Sequence, residues 1–239
     1  MELNYLTNIR EIIQSDVKNA RIPVCELLKP ENAMRCFTQL ATELLNQDRK
    51  FNTKSQDVRK YDPEPVRDQI MTLIKWAYLI PDEGIDPAKG LLFKGHTGAG
   101  KTFIFRVFNY FRLIDRLTIL YDGKQDYPLR LNIVNVRRIA GEYQDPEHGG
   151  SAVITKYSKM SCLVLDDIGT EDEISQSYGN KVNVVEEIIS NREEFEMLTF
   201  GTTNLNSFSE RYDDRTISRM ISLFNIVAFN HTIDFRRSM

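Results

Sequence analysis

The stretch Gly95-His96-Thr97-Gly98-Ala99-Gly100-Lys101-Thr102 decides the expected fold of this chain of 239 residues. It matches G-x-x-x-x-G-K-[ST], a pattern typical of loops that bind phosphate. Its glycines allow the backbone to turn tightly, so that the N–H groups converge on an anion. Lys101 brings a positive charge to the outer phosphates, and the hydroxyl of Thr102 is the kind of ligand that Mg²⁺ prefers. We therefore predict that residues 95–102 bind a nucleotide together with Mg²⁺.

The residues on both sides of this loop favour a strand followed by a helix. Leu91-Leu92-Phe93 is a short apolar run typical of a buried strand. A helix is expected from Lys101 to about Leu113, and its amino end would direct a partial positive charge at the phosphates. A glycine turn that matched the pattern by chance would lack this context, so nucleotide binding is the preferred interpretation.

Composition restricts the class of protein. The chain has 31 Lys and Arg against 34 Asp and Glu, for a net charge of −3, so it is not expected to coat nucleic acid by bulk charge. Its cysteines, Cys25, Cys36 and Cys162, are far apart, which argues against structural zinc or a disulfide framework and favours the cytoplasm. We expect neither a secretory signal nor a membrane-spanning segment.

The first 62 residues are predicted to form a helical module followed by a linker. Apolar residues fall on one helical face from Leu3 to Ile12, and again from Glu31 to Gln47. Residues 46–62 are mostly polar, as in a linker, and Pro63 and Pro65 then open a further helix. A module of about 50 residues cannot build a large core alone, so part of its apolar surface is expected to pack on the main domain or on a partner.

Strands and helices alternate after residue 89. We place the strands near residues 90–94, 131–135, 162–166, 197–202 and 225–229. This alternation predicts that residues 63–239 form an α/β domain, with a parallel sheet covered by helices on both faces.

The third of these strands ends in two acidic residues. The apolar run Leu163-Val164-Leu165 is followed directly by Asp166 and Asp167. Asp166 is expected to orient Mg²⁺, and Asp167 to position or activate an attacking water. An ordinary surface turn after a strand is the alternative explanation of this acidic pair.

Two later features suit the same chemistry. Asn204 follows a strand at the edge where open α/β sheets bind ligands, so its amide is a candidate to contact the γ-phosphate or the attacking water. Arg215 and Arg219 lie four residues apart in a predicted short helix, and an arginine from a neighbouring subunit can neutralise a transferred phosphoryl group. The alternatives are an asparagine in a loop, and arginines on a solvated helix face that pair with Asp213 or Asp214.

Basic and aromatic residues before the acidic pair are candidate contacts for single-stranded DNA. They are Arg137, Arg138, Lys156, Tyr157 and Lys159. Such residues can follow a nucleic-acid backbone and stack on its bases. An amphipathic helix with solvated lysines explains the same pattern, so both interpretations stay open.

The order of these motifs resembles that of AAA+ ATPases. The segments 163–171, 202–206, 214–220 and 229–237 are similar to those of the DnaC/DnaI-type bacterial helicase loaders. The resemblance extends over residues 63–239 and implies a five-stranded parallel AAA+ core, with ATP at the interfaces of an open or helical oligomer. It also implies that residues 1–62 bind the replicative helicase and that the ATPase domain binds single-stranded DNA.

The resemblance assigns roles residue by residue. Lys101 and Thr102 are expected to bind the phosphates and Mg²⁺, and Asp166 to support the metal. Asp167 occupies the place of the catalytic acid, and Asn204 is the expected sensor. Arg219, or as a second choice Arg215, is the arginine expected to act on a neighbouring subunit.

The chain departs from the family pattern at three points. Asp167 is one methylene shorter than the usual Glu, so hydrolysis is expected to be slow or partner-stimulated. Ten residues follow Phe229, so the C-terminal lid is expected to be reduced or absent, unless Arg236 or Arg237 reaches the phosphates. The cysteine spacing also excludes the zinc-bearing N-terminal module that loaders of the DnaI sort can carry.

Three other functions remain as alternatives. An IstB-like transposition helper ATPase would use the same core but bind duplex DNA or a transposase. A binding module could use ATP to switch assembly with negligible hydrolysis. A phosphotransferase would need a substrate pocket and an arginine-bearing lid, and the sequence indicates neither.

Overall fold

The computed structural model describes residues 30–47, 59–114, 117–121, 125–172, 175–177 and 180–236. The predicted first helix, from Leu3 to Ile12, lies outside these residues. The described residues form two compact units, the first within the ranges 1–80, 103–130 and 235–239, and the second within the ranges 81–102 and 131–234. A domain boundary at residues 62 and 63 stays a prediction.

Seven α-helices and nine strands lie in the described residues. The helices are α1 (Pro30–Gln47), α2 (Arg67–Ala77), α3 (Lys101–Ile114), α4 (Val136–Gln144), α5 (Ser151–Ser158), α6 (Val184–Glu194) and α7 (Asp214–Leu223). The strands are β1 (Gly90–Gly95), β2 (Thr118–Tyr121), β3 (Gln125–Pro128), β4 (Asn132–Asn135), β5 (Leu163–Ile168), β6 (Ser175–Ser177), β7 (Asn180–Val182), β8 (Thr199–Thr203) and β9 (Phe224–Phe229).

Aromatic contacts hold the first unit together. The ring centroids of Phe37 in α1 and Phe111 in α3 lie 5.9 Å apart, and those of Tyr61 and Phe103 lie 5.6 Å apart. Burial, and then the neighbouring charge of Asp62, raise the pKa of Tyr61, so its phenol stays neutral in this core. The predicted helix after Pro63 is confirmed, and it begins with a 3₁₀ turn at Glu64–Val66 before α2.

A five-stranded parallel sheet forms the second unit, with the order β4-β5-β8-β1-β9. All five strands predicted after residue 89 are present, and the predicted α/β class with a five-stranded parallel sheet is confirmed. The carboxyl ends of β5, β8 and β1 are therefore neighbours. This arrangement brings Asp166, Asn204 and the start of the phosphate loop to one edge of the sheet.

Apolar side chains are buried on both faces of this sheet. On one face, a cluster joins Leu92, Leu165 and Phe224 of the strands to residues of α4, α5, α6 and α7. On the other face, Leu91, Phe93 and other alternate residues have no solvent exposure. Both faces are thus covered, as expected for parallel strands that lie between layers.

Two antiparallel hairpins were not predicted. β2 pairs with β3 in the first unit, and β6 pairs with β7 between β5 and α6 in the second. Residues 230–236, which follow β9, form neither helix nor strand. Among the helices that the structure describes, none combines the length and apolar character required to cross a bilayer.

Candidate functional site

The phosphate loop connects β1 to α3. Gly98 and Gly100 have φ angles of +84° and +88°, a left-handed conformation that glycine adopts without strain. Gly95 is required for another reason, because a Cβ atom there would lie 2.6 Å from the Cβ of Phe229 and 2.9 Å from its carbonyl oxygen. The loop thus turns into the amino end of α3, as the sequence pattern predicts.

Lys101 is buried at the base of this loop, with 5% of its surface exposed. Its ammonium Nζ donates to the carbonyl oxygens of Gly95, at 2.7 Å, and of His96, at 2.8 Å. It also donates to Oδ1 of Asn204, at 2.7 Å. These acceptors are neutral, and an ammonium binds anionic oxygen more strongly, so a phosphate would compete with them for Nζ.

Thr102 and Asp166 are joined by a hydrogen bond suited to binding Mg²⁺. The Thr102 hydroxyl donates to Asp166 Oδ1 at 2.6 Å, which leaves the lone pairs of its own oxygen for a metal ion. Mg²⁺ usually takes one or two protein oxygens and completes its shell with water and phosphate. The described residues contain no group of three or more His, Cys, Asp or Glu that could hold a metal ion.

Asp167 has an unusual backbone conformation and is held on three sides. Its φ angle is +62°, which is uncommon for a residue with a side chain. The Asn135 amide donates to Asp167 Oδ2 at 3.1 Å, and the Thr202 hydroxyl accepts from the Asp167 N–H at 2.8 Å. The Asp167 carbonyl accepts from both the N–H and the hydroxyl of Thr170. The carboxylate is thus oriented while only half-buried.

The segment after β9 lies against the phosphate loop. His96 Nε2 is 2.7 Å from the carbonyl oxygen of His231, and the two imidazole rings are 5.4 Å apart. Burial, and then the neighbouring His96, lower the pKa of His231. The carboxylate of Asp234 approaches Gly98 so closely that a Cβ added there would be 2.0 Å from Oδ1. Of the two arginines expected to reach the phosphates, Arg236 is exposed and Arg237 lies outside the described residues.

Replacing Gly98 with Ala is expected to weaken nucleotide binding and lower the melting temperature. The left-handed φ costs an L-residue about 1–2 kcal/mol, and the new methyl group must also displace the Asp234 carboxylate. Gly84→Ala is the matched control, because Gly84 has a φ of +73° and no atom within 4 Å of an added Cβ. Thermal melting and titration with a fluorescent ADP analogue would compare them.

The double variant Gly98→Ala/Asp234→Ala identifies the cause of that loss. If the displaced carboxylate contributes, the double variant melts higher than Gly98→Ala. Equal losses in Gly98→Ala and Gly84→Ala, with no recovery in the double variant, would show that backbone strain alone explains the effect.

Arg215 and Arg219 lie on α7, which begins after Asp213. A hydrogen bond from the Thr216 N–H lowers the pKa of Asp213 most, and the charges of the two arginines lower it further. Within the part of the chain that the structure describes, neither guanidinium forms a hydrogen bond or an ion pair. Arg215 is exposed and Arg219 is half-buried. Among the described residues, the pairing with Asp213 or Asp214 that the alternative interpretation requires is thus limited to the effect of the two charges on Asp213.

The chain is similar to several solved structures. No family model matches it, and no curated protein matches it. The crystal structure of DnaI is 19% identical, covering 70% of this chain and 84% of that chain, with a TM-score of 0.47. The crystal structure of the DnaC helicase loader is 17% identical, covering 72% and 94%, with a TM-score of 0.49. AMPPCP-bound DnaA from Aquifex aeolicus is 14% identical, covering 71% and 48%, with a TM-score of 0.46.

These similarities concern the backbone fold at low sequence identity, so function has to be inferred from the side chains at the site. Lys101, Thr102, Asp166 and Asn204 are brought together by direct hydrogen bonds. Asp167 is adjacent to them in the chain. The sequence did not identify Asn135, Thr202 or Asp234, because small polar residues at strand ends and in loops carry no signal of their own.

The candidate DNA contacts are largely engaged with other groups of the protein. Arg138 and Lys156 both bond Glu142 at 2.9 Å, and the hydroxyl of Tyr157 bonds the same carboxylate at 2.7 Å. Although burial acts to raise it, the pKa of Glu142 is lowered by these three hydrogen bonds. The Tyr157 ring is buried, so it presents no face on which a base could stack.

The two remaining candidates differ from each other. Arg137 Nε donates to the carbonyl oxygen of Thr170, 2.7 Å away, just after the acidic pair. Lys159 is exposed directly after α5. A role of these residues in binding single-stranded DNA stays a prediction.

Proposed function

We propose that this chain is a Mg²⁺-dependent ATPase of the AAA+ helicase-loader type, in which ATP controls assembly on a replicative helicase and single-stranded DNA. The observation that carries the ATPase part is the contact of Lys101 with Asn204 beside the contact of Thr102 with Asp166. These four side chains come from the loop and two neighbouring strands, and together they supply a cation, a sensor amide and hard oxygen ligands.

Each residue has a defined task in this proposal. The loop N–H groups and Lys101 bind the phosphates, and Thr102 with Asp166 holds Mg²⁺. The bound ion would neutralise charge on the transferred phosphoryl group. Asp167 accepts a proton from the attacking water, for which its half-exposed carboxylate is oriented by Asn135. When Lys101 turns to the phosphates, the Asn204 amide is released from its bond with Lys101 and donates through Nδ2–H to the γ-phosphate or to that water.

Replacing Lys101 with Met is expected to weaken ATP affinity by about 10- to 100-fold and to abolish hydrolysis, because a charge-assisted bond to phosphate is lost. Lys94→Met is the matched control. Lys94 lies on the adjacent strand β1, and its Nζ also donates to a carbonyl oxygen, that of Asn206 at 2.6 Å. Binding is measured by calorimetry and hydrolysis by phosphate release. Equal effects of both variants would contradict a specific role of Lys101.

The helicase-loader role is supported by the resemblance of the sequence motifs, and it requires a direct test. The full chain is co-purified with the replicative helicase of its host, with and without ATP, beside the Lys101→Met variant. ATP-dependent capture by the full chain, lost in the variant, supports a loader. Retention of a transposase or of duplex DNA, with no helicase captured, favours the IstB-like alternative.

Phosphate release separates an ATPase from an ATP-switched binding module. Asp167 has a shorter side chain than Glu. We therefore expect slow hydrolysis without a partner, with a kcat at roughly the lower end of the usual range for enzymes. Mg²⁺-dependent binding of ATP with no release of phosphate, even with helicase and single-stranded DNA present, would support the binding module instead.

A further inference from the structure

The strand that carries the acidic pair has one extra residue at its end. Leu165 of β5 pairs with Gly201 of β8, but the next pair is Ile168 with Thr203. Three steps along β5 therefore match two steps along β8, which is a β-bulge. The extra residue falls at Asp166 and Asp167, and the φ of +62° at Asp167 is part of the same irregularity.

This bulge has a consequence for the two carboxylates. In a regular strand, successive side chains point to opposite faces of the sheet. A bulge redirects one of them, and bulges are frequent next to active sites for this reason. Here Asp166 bonds Thr102 at the phosphate loop, while Asp167 bonds Asn135 at the end of the neighbouring strand β4. Both carboxylates thus lie at the carboxyl edge of the sheet.

Thr202 contacts both parts of the bulge through one oxygen atom. Its hydroxyl donates to Asp166 Oδ1 at 2.8 Å and accepts from the Asp167 N–H at 2.8 Å. The side chain is fully buried in β8. Its hydroxyl therefore fixes the first carboxylate and supplies an acceptor to an N–H group at the point where the strand register is broken.

We propose that Thr202 is a positioning residue, whose hydroxyl holds the bulge and thereby sets the Asp166 and Asp167 carboxylates for hydrolysis. This inference rests on the proposed ATPase function. A residue other than glycine keeps a left-handed backbone conformation only where the surrounding structure holds it there. At Asp167 those surroundings are the bonds to Thr202, Asn135 and Thr170. Of these three residues, Thr202 is the one that also bonds Asp166, the aspartate proposed to hold Mg²⁺.

The test compares Thr202→Val, which keeps the shape but removes the hydroxyl, with Thr202→Ser, which keeps the hydroxyl. Thr202→Val is expected to lower kcat by about tenfold or more, because loss of a buried hydrogen bond is worth roughly a factor of ten. The KM for ATP and the metal-free affinity for ADP stay within about twofold of wild type, since the phosphate loop is untouched. Thr202→Ser restores kcat.

Thr199→Val is the matched control for a merely structural effect. Thr199 is also buried in β8, at the opposite end of the strand, and its hydroxyl donates to the carbonyl oxygen of Met197 at 2.6 Å and accepts from Arg192 Nε at 2.8 Å. The Thr199→Val variant therefore loses one donated and one accepted hydrogen bond, as Thr202→Val does, but Thr199 contacts neither carboxylate nor the bulge. Thr199→Val is expected to lose similar thermal stability and to keep kcat. Equal losses of kcat in both Val variants would overturn the proposal.

Hydrogen exchange of the Asp167 amide provides a readout that needs no activity. In the nucleotide-free protein, Thr202→Val is expected to speed this exchange by about tenfold, and Thr202→Ser to leave it unchanged. If the wild-type protein binds ATP but hydrolyses none, the ATPase proposal fails. If, in addition, the Asp167 amide exchanges at an unchanged rate in Thr202→Val, the role of Thr202 in holding the bulge is refuted as well. Normal kcat together with normal exchange in Thr202→Val refutes the inference alone.

Discussion

Asp167→Asn is expected to lower the rate of ATP hydrolysis by about 10²- to 10⁴-fold, the contribution of a general base, and to leave ATP affinity within about threefold. The amide has the same shape as the carboxylate but cannot accept a proton from the attacking water. Asparagine also tolerates the left-handed conformation that Asp167 adopts, with its φ of +62°. Its side-chain oxygen can still accept from Asn135, so the fold at this point is preserved.

Single-turnover phosphate release and calorimetric binding of ATP would measure these two effects. Asp172→Asn is the control, since Asp172 is an exposed acid five residues further along the same segment. Retained hydrolysis in Asp167→Asn would assign the proton transfer to another group. A parallel loss of ATP binding would instead mean that the carboxylate supports the site rather than the chemical step.

The sequence predicts the sheet and the principal site residues because both follow from short-range patterns. Short apolar runs such as Leu91-Leu92-Phe93 and Leu163-Val164-Leu165 mark strands, and in a parallel sheet the residues after such runs meet at one edge. Asp166 follows the apolar run of β5, Asn204 follows β8, and Lys101 follows a glycine pattern. Whether they meet then depends on the order of the strands, which the structure shows to be β4-β5-β8-β1-β9.

The residues that orient these groups depend on register, which the sequence does not reveal. Asn135 and Thr202 are ordinary polar residues at the ends of β4 and β8. The contact of Thr202 with Asp167 lies at the register shift between β5 and β8, and a bulge has no reliable pattern in a single sequence. The approach of Asp234 to Gly98 was missed for a related reason, since 136 positions separate them and neither lies in a regular element.

The strands of the two hairpins could not be identified from the periodicity of apolar residues in the sequence. Gln125–Pro128 ends in proline, and Ser175–Ser177 contains no apolar residue. Neither segment has the alternation of apolar and polar residues that identifies a half-buried strand. Strands of three or four residues with such composition are defined by pairing with their neighbours rather than by burial, so they were found only in the structure.

Arg219→Ala is expected to retain ATP binding and to lose hydrolysis by about 10³-fold or more, the range for an arginine supplied by a neighbouring subunit. The Arg219 guanidinium forms no hydrogen bond or ion pair with any residue that the structure describes, and its side chain is half-buried on α7. Arg106→Ala, which removes an exposed arginine from α3, serves as the control. A defect in Arg215→Ala, with normal hydrolysis in Arg219→Ala, would transfer the role to Arg215.

Mixing two inactive variants tests whether the arginine acts between subunits. Lys101→Met lacks a functional phosphate site but keeps Arg219, whereas Arg219→Ala keeps the site and lacks the arginine. In a head-to-tail assembly formed from equal amounts, about one interface in four joins an intact site to an intact arginine, so hydrolysis should recover to about a quarter of the wild-type rate. An arginine that acted within its own chain would leave the mixture inactive, because every subunit would carry one of the two defects.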